Sequence, residues 1–181
     1  KGKIVLSSKG GSKYIVVSSK GRRRVVSFDA LTDVRGLRVR AEKAADVIES
    51  NGLWRSKKLD LVKVIRDAEV KPMTTIQRIQ RPNALGLFDP KEPRIIRINT
   101  GLKFTDEQLV RTLLHEGIHR RDFLLGKKMP RSILEYKAYR SSARFTEENL
   151  GLSLDWREMR ALKGREIFMR DVAQHRRWDI P

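Results

Sequence analysis

The sequence predicts an α+β fold that combines short strands with amphipathic helices. Three observations carry this. Short β-rich runs punctuated by glycines fill residues 1–28. Arg94 to Thr100 alternates, with Ile96 and Ile98 on one face and Ile95, Arg97 and Asn99 on the other. Beyond it, apolar residues recur at helical spacing toward the C-terminus.

In order, Ile4-Val5-Leu6-Ser7-Ser8-Lys9-Gly10 recurs almost unchanged as Ile15-Val16-Val17-Ser18-Ser19-Lys20-Gly21, and Val25-Val26-Ser27-Phe28 follows. This predicts a three-stranded β-meander whose third strand is charged by Arg22, Arg23 and Arg24, a composition that discourages edge pairing. Two copies are too few for a solenoid. We expect residues 1–35 to form this meander or connector and residues 36–181 the main domain. The chain begins at Lys1 rather than Met, as expected for a processed piece of a longer protein.

After a link from Asp29 to Gly36, Leu37, Ala41, Ala44, Ala45 and Ile48 form a helix face that Asn51-Gly52 ends. A shorter helix fits residues 58–68, with Leu61, Ile65 and Ala68 inward. Residues 72–93 hold Pro72, Pro82, Pro90 and Pro93. Thr74 to Arg81 is expected as a strand, and Pro82 to Pro93 as loop. The strand at Arg94 to Thr100 is either an edge strand able to hold an extended peptide by strand addition, or an ordinary sheet strand.

Composition bounds the function. With 181 residues, 39% hydrophobic and 34% charged, the chain has material for a core under a heavily charged surface. No apolar run approaches the roughly 20 residues of a membrane span, and no signal peptide is visible. The absence of cysteine excludes disulfides and thiolate metal sites. Forty Lys+Arg against twenty-two Asp+Glu give a net charge of +18, which attracts nucleic acid, anionic lipid or an acidic partner protein. Aromatic content is only 7%, and no nucleic-acid module is recognisable.

The chemistry concentrates in His115-Glu116-Gly117-Ile118-His119, an H-E-x-x-H pattern holding two of the three histidines. Thr105-Asp106-Glu107-Gln108 reads as a capping box, with Phe104 and Leu109 placed as a hydrophobic staple. Leu109, Leu113, Leu114 and Ile118 bury one side of the helix that follows. Gly126 and Pro130 end it. Residues four apart share a helix face, so His115 and His119 can converge on one ion. Zinc takes neutral imidazoles at about 2.0–2.1 Å, and a catalytic site leaves one position open. Glu116 is then the general base for a metal-activated water. The alternative is a helix carrying two surface histidines and a glutamate. Asp122, one turn past His119, either orients a histidine or pairs with Arg120, Arg121 or Lys127.

The next helix is expected from Arg131 to Glu148, with Leu134, Ala138, Ser141 and Phe145 as its packing stripe. Glu135 is the favoured third ligand, completing a His₂Glu site. The competing reading makes Ser132-Ile133-Leu134-Glu135 a capping box. Tyr139, one turn after Glu135, is a candidate to stabilise an oxyanion or else a packing residue; Tyr136 points less well. After Asn149-Leu150-Gly151, a last helix is expected from Ser153 or Asp155 toward Arg177, with Gly164 a weak point. Its His175 is either a rival third ligand or the polar end of the stripe Phe168, Val172, His175.

The stretch from Leu113 to Gly151 resembles zincin metallopeptidases: His115, Glu116 and His119 match their motif residue for residue, and Glu135 is similar to the third ligand of gluzincins, at a shorter spacing. The metzincin continuation is absent. H-E-G-I-H followed by E-Y-K-A-Y also resembles metallopeptidase toxin domains at the C-termini of bacterial polymorphic toxins. These resemblances imply a zincin-like core of helices against a small sheet, a Zn²⁺ cofactor, a protein or peptide substrate, and secretion if a toxin; whether an acidic partner or an immunity-type inhibitor exists is left open by the sequence. The sequence therefore reads as a zinc-dependent peptidase. The rival readings are a basic polyanion-binding domain whose zinc site is structural or absent, and an interaction module with a degenerate active site.

Overall fold

The computed structural model describes residues 4–7, 13–17, 23–27, 34–50, 60–150 and 153–173. The chain is α+β, mostly helical with a small mixed sheet. Strands β1 (Ile4–Ser7), β2 (Lys13–Val17) and β3 (Arg23–Ser27) form an antiparallel meander in that order, with Ile4 opposite Val16 and Ile15 opposite Val25. The repeat thus pairs with itself, and the arginine-bearing β3 lies at an edge.

Helix α1 (Val34–Ser50) buries Leu37, Ala41, Ala44, Ala45 and Ile48, the expected face. Asn51-Gly52 lies outside the described residues. Helix α2 (Leu61–Arg66) starts at Asp60, whose side chain accepts from the Val62 and Lys63 amides. Leu61 and Ile65 are buried and Ala68 packs against the same core.

Between Glu69 and Ile98 the structure departs from expectation. Strand β4 (Glu69–Pro72) was not legible in the sequence. Thr74 to Arg81 is not a strand: it forms α3 (Thr75–Gln80), because Thr74 and Gln77 close a capping box that outweighs the β-leaning Thr and Ile residues. The Pro82–Pro93 loop contains a short strand, β5 (Gly86–Phe88). The expected strand is β6 (Ile95–Ile98), with Ile96 and Ile98 buried. It is not an edge strand. The sheet order is β4-β6-β5, with β4 parallel and β5 antiparallel to β6, so both sides of β6 are already paired.

Helix α4 (Asp106–Leu124) is the hub and packs against α1, α2, β5 and α5 (Arg131–Phe145). Leu109, Val110, Leu113, Leu114 and Ile118 join the core formed with α1, α2, β6, Ala138 and Phe145. Burying each such side chain contributes about 1.5–3 kcal/mol. Gly117 is the point of closest approach: a Cβ there would stand 2.6 Å from Ile65 Cγ1, so only glycine lets α4 lie against α2 this closely.

Helix α5 is shorter than expected, continuing from Phe145 into a π-helical turn over Thr146–Leu150. The last helix is not continuous. α6 (Trp156–Lys163) begins with a capping box between Asp155 and Glu158, and Gly164 breaks it at φ 134°. α7 (Arg165–Phe168) and a π-helical turn over Met169–Ala173 follow. Tyr136, Ala161, Phe168 and Val172 form a second core beneath α5. No helix among the described residues is long and apolar enough to cross a membrane.

Candidate metal centre

The sequence sets the centre on the side of α4 away from its buried leucines. Thr105 accepts from the Gln108 amide and Gln108 bonds back to the Thr105 amide, the expected capping box. Asp106 and Glu107 complement the positive end of the helix. The helix stops at Leu124, before Gly126 at φ 65°. With Leu114 and Ile118 fixed in the core, His115 and His119 project one turn apart, their side chains 15% exposed.

Glu135 meets them from α5. That helix begins at Arg131 with Pro130 as N-cap and no side-chain cap bond. Ser132 is therefore inside the helix, and the Ser132–Glu135 capping box does not form. The Glu135 Oε2 atom instead lies 3.4 Å from His115 Nε2 and 3.6 Å from His119 Nε2. The two Nε2 atoms are 3.2 Å apart. Three donors about 2.0–2.1 Å from a shared tetrahedral ion stand about 3.3–3.4 Å from one another. The observed triangle has those dimensions, and its two imidazoles and one carboxylate suit zinc. The donor set thus fits the ion. Among the described residues this is the cluster of potential ligands with such convergence. His175 lies outside the described residues.

The electrostatics are those of a coupled pair. Burial would lower His115, but Glu135, then the charge of Glu116, hold its pKa above the ordinary histidine value. Burial would raise Glu135, but the facing imidazoles outweigh it and hold that carboxyl well below the carboxylate range. Its second oxygen lies 3.7 Å from Arg131 Nε.

Glu116 occupies the same helix but turns toward the sheet. It is 9% exposed, and the Phe88 backbone N–H donates to its Oε2 at 2.8 Å. No described group donates to Oε1. Strand β5 thus orients one oxygen of the candidate base and leaves the other. Gly86 makes this approach possible: a Cβ there would stand 2.5 Å from Thr112 Cγ2 and 2.8 Å from Glu116 Cγ.

Tyr139 joins the centre edge-on, its ring centroid 4.6 Å from that of His115. Tyr136 turns away into the second core against Phe168 and takes a hydrogen bond from Arg140. Asp122 does not orient a histidine. Its buried carboxylate accepts from Lys127 Nζ at 2.6 Å and Lys137 Nζ at 2.7 Å, tying the end of α4 to α5. Arg120 instead donates to the Pro93 and Val64 carbonyls.

Three contributors escaped the sequence. β5 was hidden because three residues inside a proline-rich segment give no periodicity. Glu158, buried and 43 positions from His115 in sequence, accepts from Arg111, Ser142 and the Asp155 amide; burial raises its pKa and its charge helps raise that of His115. Arg157, beside Tyr139, carried no motif.

Compared with known proteins, the chain matches no family model, no curated protein and no solved structure.

Proposed function

We propose that this protein is a zinc-dependent metallohydrolase, most simply a peptidase, with His115, His119 and Glu135 holding the metal. The observation that carries the reading is the triangle of His115 Nε2, His119 Nε2 and Glu135 Oε2, with sides of 3.2, 3.4 and 3.6 Å. Zinc bound there would supply Lewis acidity to a scissile carbonyl and bring a water's pKa to about 7. Glu116 is the general base of the reading. The Phe88 N–H fixes its Oε2, and Oε1 accepts the proton of the attacking water. As the new C–O bond forms and the C–N bond breaks, Oε1 returns that proton to the leaving nitrogen. Tyr139, against the ring of His115, is the candidate donor to the developing oxyanion.

The test is hydrolysis of a mixed peptide substrate by wild type and Glu116→Gln, with zinc measured on the same samples. Equal zinc and a loss of at least about a hundredfold in rate are expected for the variant. Equal rates would overturn it.

The net charge of +18 supports a second reading, a polyanion-binding domain in which the metal site is structural. Steeply salt-dependent DNA binding without proteolysis would favour it. Under the toxin-domain resemblance the same charge suits an acidic inhibitor.

A further inference from the structure

Arg157 stands on the first turn of α6, beside the proposed metal centre. Its guanidinium carbon lies 6.0 Å from the ring centroid of Tyr139 and 5.4 Å from that of Trp156. The Tyr139 ring in turn abuts His115. The arginine Nε is buried without a hydrogen-bond acceptor, and no described carboxylate pairs with the guanidinium.

Three other arginines in buried or half-buried positions find acceptors. Arg97 pairs with Glu92, Arg111 with Glu158, and Arg120 with two backbone carbonyls. The carboxylates adjacent to Arg157 in sequence are engaged elsewhere. Asp155 caps α6 by accepting from the Arg157 and Glu158 amides. Glu158 accepts from Arg111, Ser142 and the Asp155 amide. Aromatic faces orient a guanidinium and stabilise its charge, but they provide no acceptor for its N–H groups. The planar fork matches a carboxylate, which it binds through two parallel hydrogen bonds.

We propose that Arg157 binds a substrate carboxylate beside the metal centre, so that the preferred substrates are peptides carrying a carboxylate close to the scissile bond. The substrate role rests on the metallopeptidase reading; the carboxylate site rests on the geometry around Arg157. The carboxylate comes either from an Asp or Glu side chain or from a free C-terminus. The net charge of +18 assists by drawing acidic peptides to the surface.

The experiment uses the full chain carrying Glu116→Gln, with and without Arg157→Gln or Arg157→Lys. The probes are rhodamine-labelled peptides with a central Glu or Gln, each with a free or amidated C-terminus. Affinity is read by fluorescence anisotropy, and zinc is measured on the same samples. We expect the Arg157-containing protein to prefer one carboxylate-bearing member of these pairs by about ten- to a hundredfold. The pair that is discriminated identifies the source. Arg157→Gln should abolish the preference, and Arg157→Lys, which keeps the charge and lacks the fork, should restore it only in part. Equal binding of Glu and Gln peptides and of acid and amide ends, or a preference that survives Arg157→Gln, would overturn the proposal. Zinc bound without discrimination removes the Arg157 site and leaves the peptidase reading; discrimination without zinc does the reverse.

Discussion

The Nε2 atom of His115 lies 3.4 Å from Oε2 of Glu135, joining α4 to α5 through two groups whose pKa values move apart. His115 is held above its ordinary value and Glu135 well below, so the pairing favours the protonated imidazole facing a carboxylate. A metal needs the neutral imidazole, and binding therefore releases a proton. Zinc affinity should fall as pH drops through the raised pKa of His115, by about tenfold per pH unit for one proton released. Chelator competition between about pH 6 and 8 checks this. An affinity independent of pH across that range would contradict the pairing.

The contact between β5 and Glu116 gives a variant that leaves all three proposed ligands untouched. In Gly86→Ala the added methyl would meet Thr112 Cγ2 and Glu116 Cγ within van der Waals radii. The carboxylate must shift away from the Phe88 N–H. We expect at least about a tenfold loss of hydrolysis, because misplacing a catalytic group by about 1 Å costs up to a hundredfold. Zinc content should be unchanged. Full activity in Gly86→Ala would show that β5 does not position the base.

Gly117 tests the packing beneath the motif. Ile65 is buried and β-branched, so it yields poorly to a new methyl 2.6 Å from its Cγ1. Gly117→Ala should destabilise the fold by about 1–3 kcal/mol in urea unfolding. Ile65→Val removes the Cδ1 atom, 2.9 Å from that methyl. It should therefore recover part of the loss in a double-mutant cycle. Strict additivity would place the strain elsewhere.

Asp122 should contribute to the acid dependence of stability. Burial would raise its carboxyl, but hydrogen bonds from Lys127 and Lys137 outweigh that and hold it below the ordinary value. A depressed carboxyl stabilises the fold above the unfolded pKa, near 3.9 for Asp, and the contribution fades as pH falls through the folded pKa. Asp122→Asn should cost about 1–3 kcal/mol at neutral pH and progressively less in acid. A cost independent of pH down to about pH 2 would show that the ion pairs contribute nothing.

Much of the centre was legible because it depends on local rules. The Thr105 capping box, the buried leucines and the four-residue histidine spacing specify α4 without tertiary information. Glu135 was legible as a candidate through its donor chemistry, and the competing cap fails because Pro130 starts α5 before Ser132. What was hidden depends on contacts distant in sequence. Phe88 reaches Glu116 only because β5 pairs with β6, and the Thr74–Gln77 box turned an apparent strand into α3. Lys137 finds Asp122 across two helices, and Arg157 acquires its place only when α6 folds against Tyr139. The repeat near the N-terminus announced its strands directly, since glycines separate them.

His115, His119 and Glu135 are proposed to hold a single zinc ion between α4 and α5. Plasma mass spectrometry on zinc-supplied protein tests it most directly, comparing wild type with His119→Ala and Glu135→Ala. One zinc per chain is expected in wild type, with its loss or marked loosening in both variants. No stoichiometric zinc in wild type, or full retention in both variants, would contradict it.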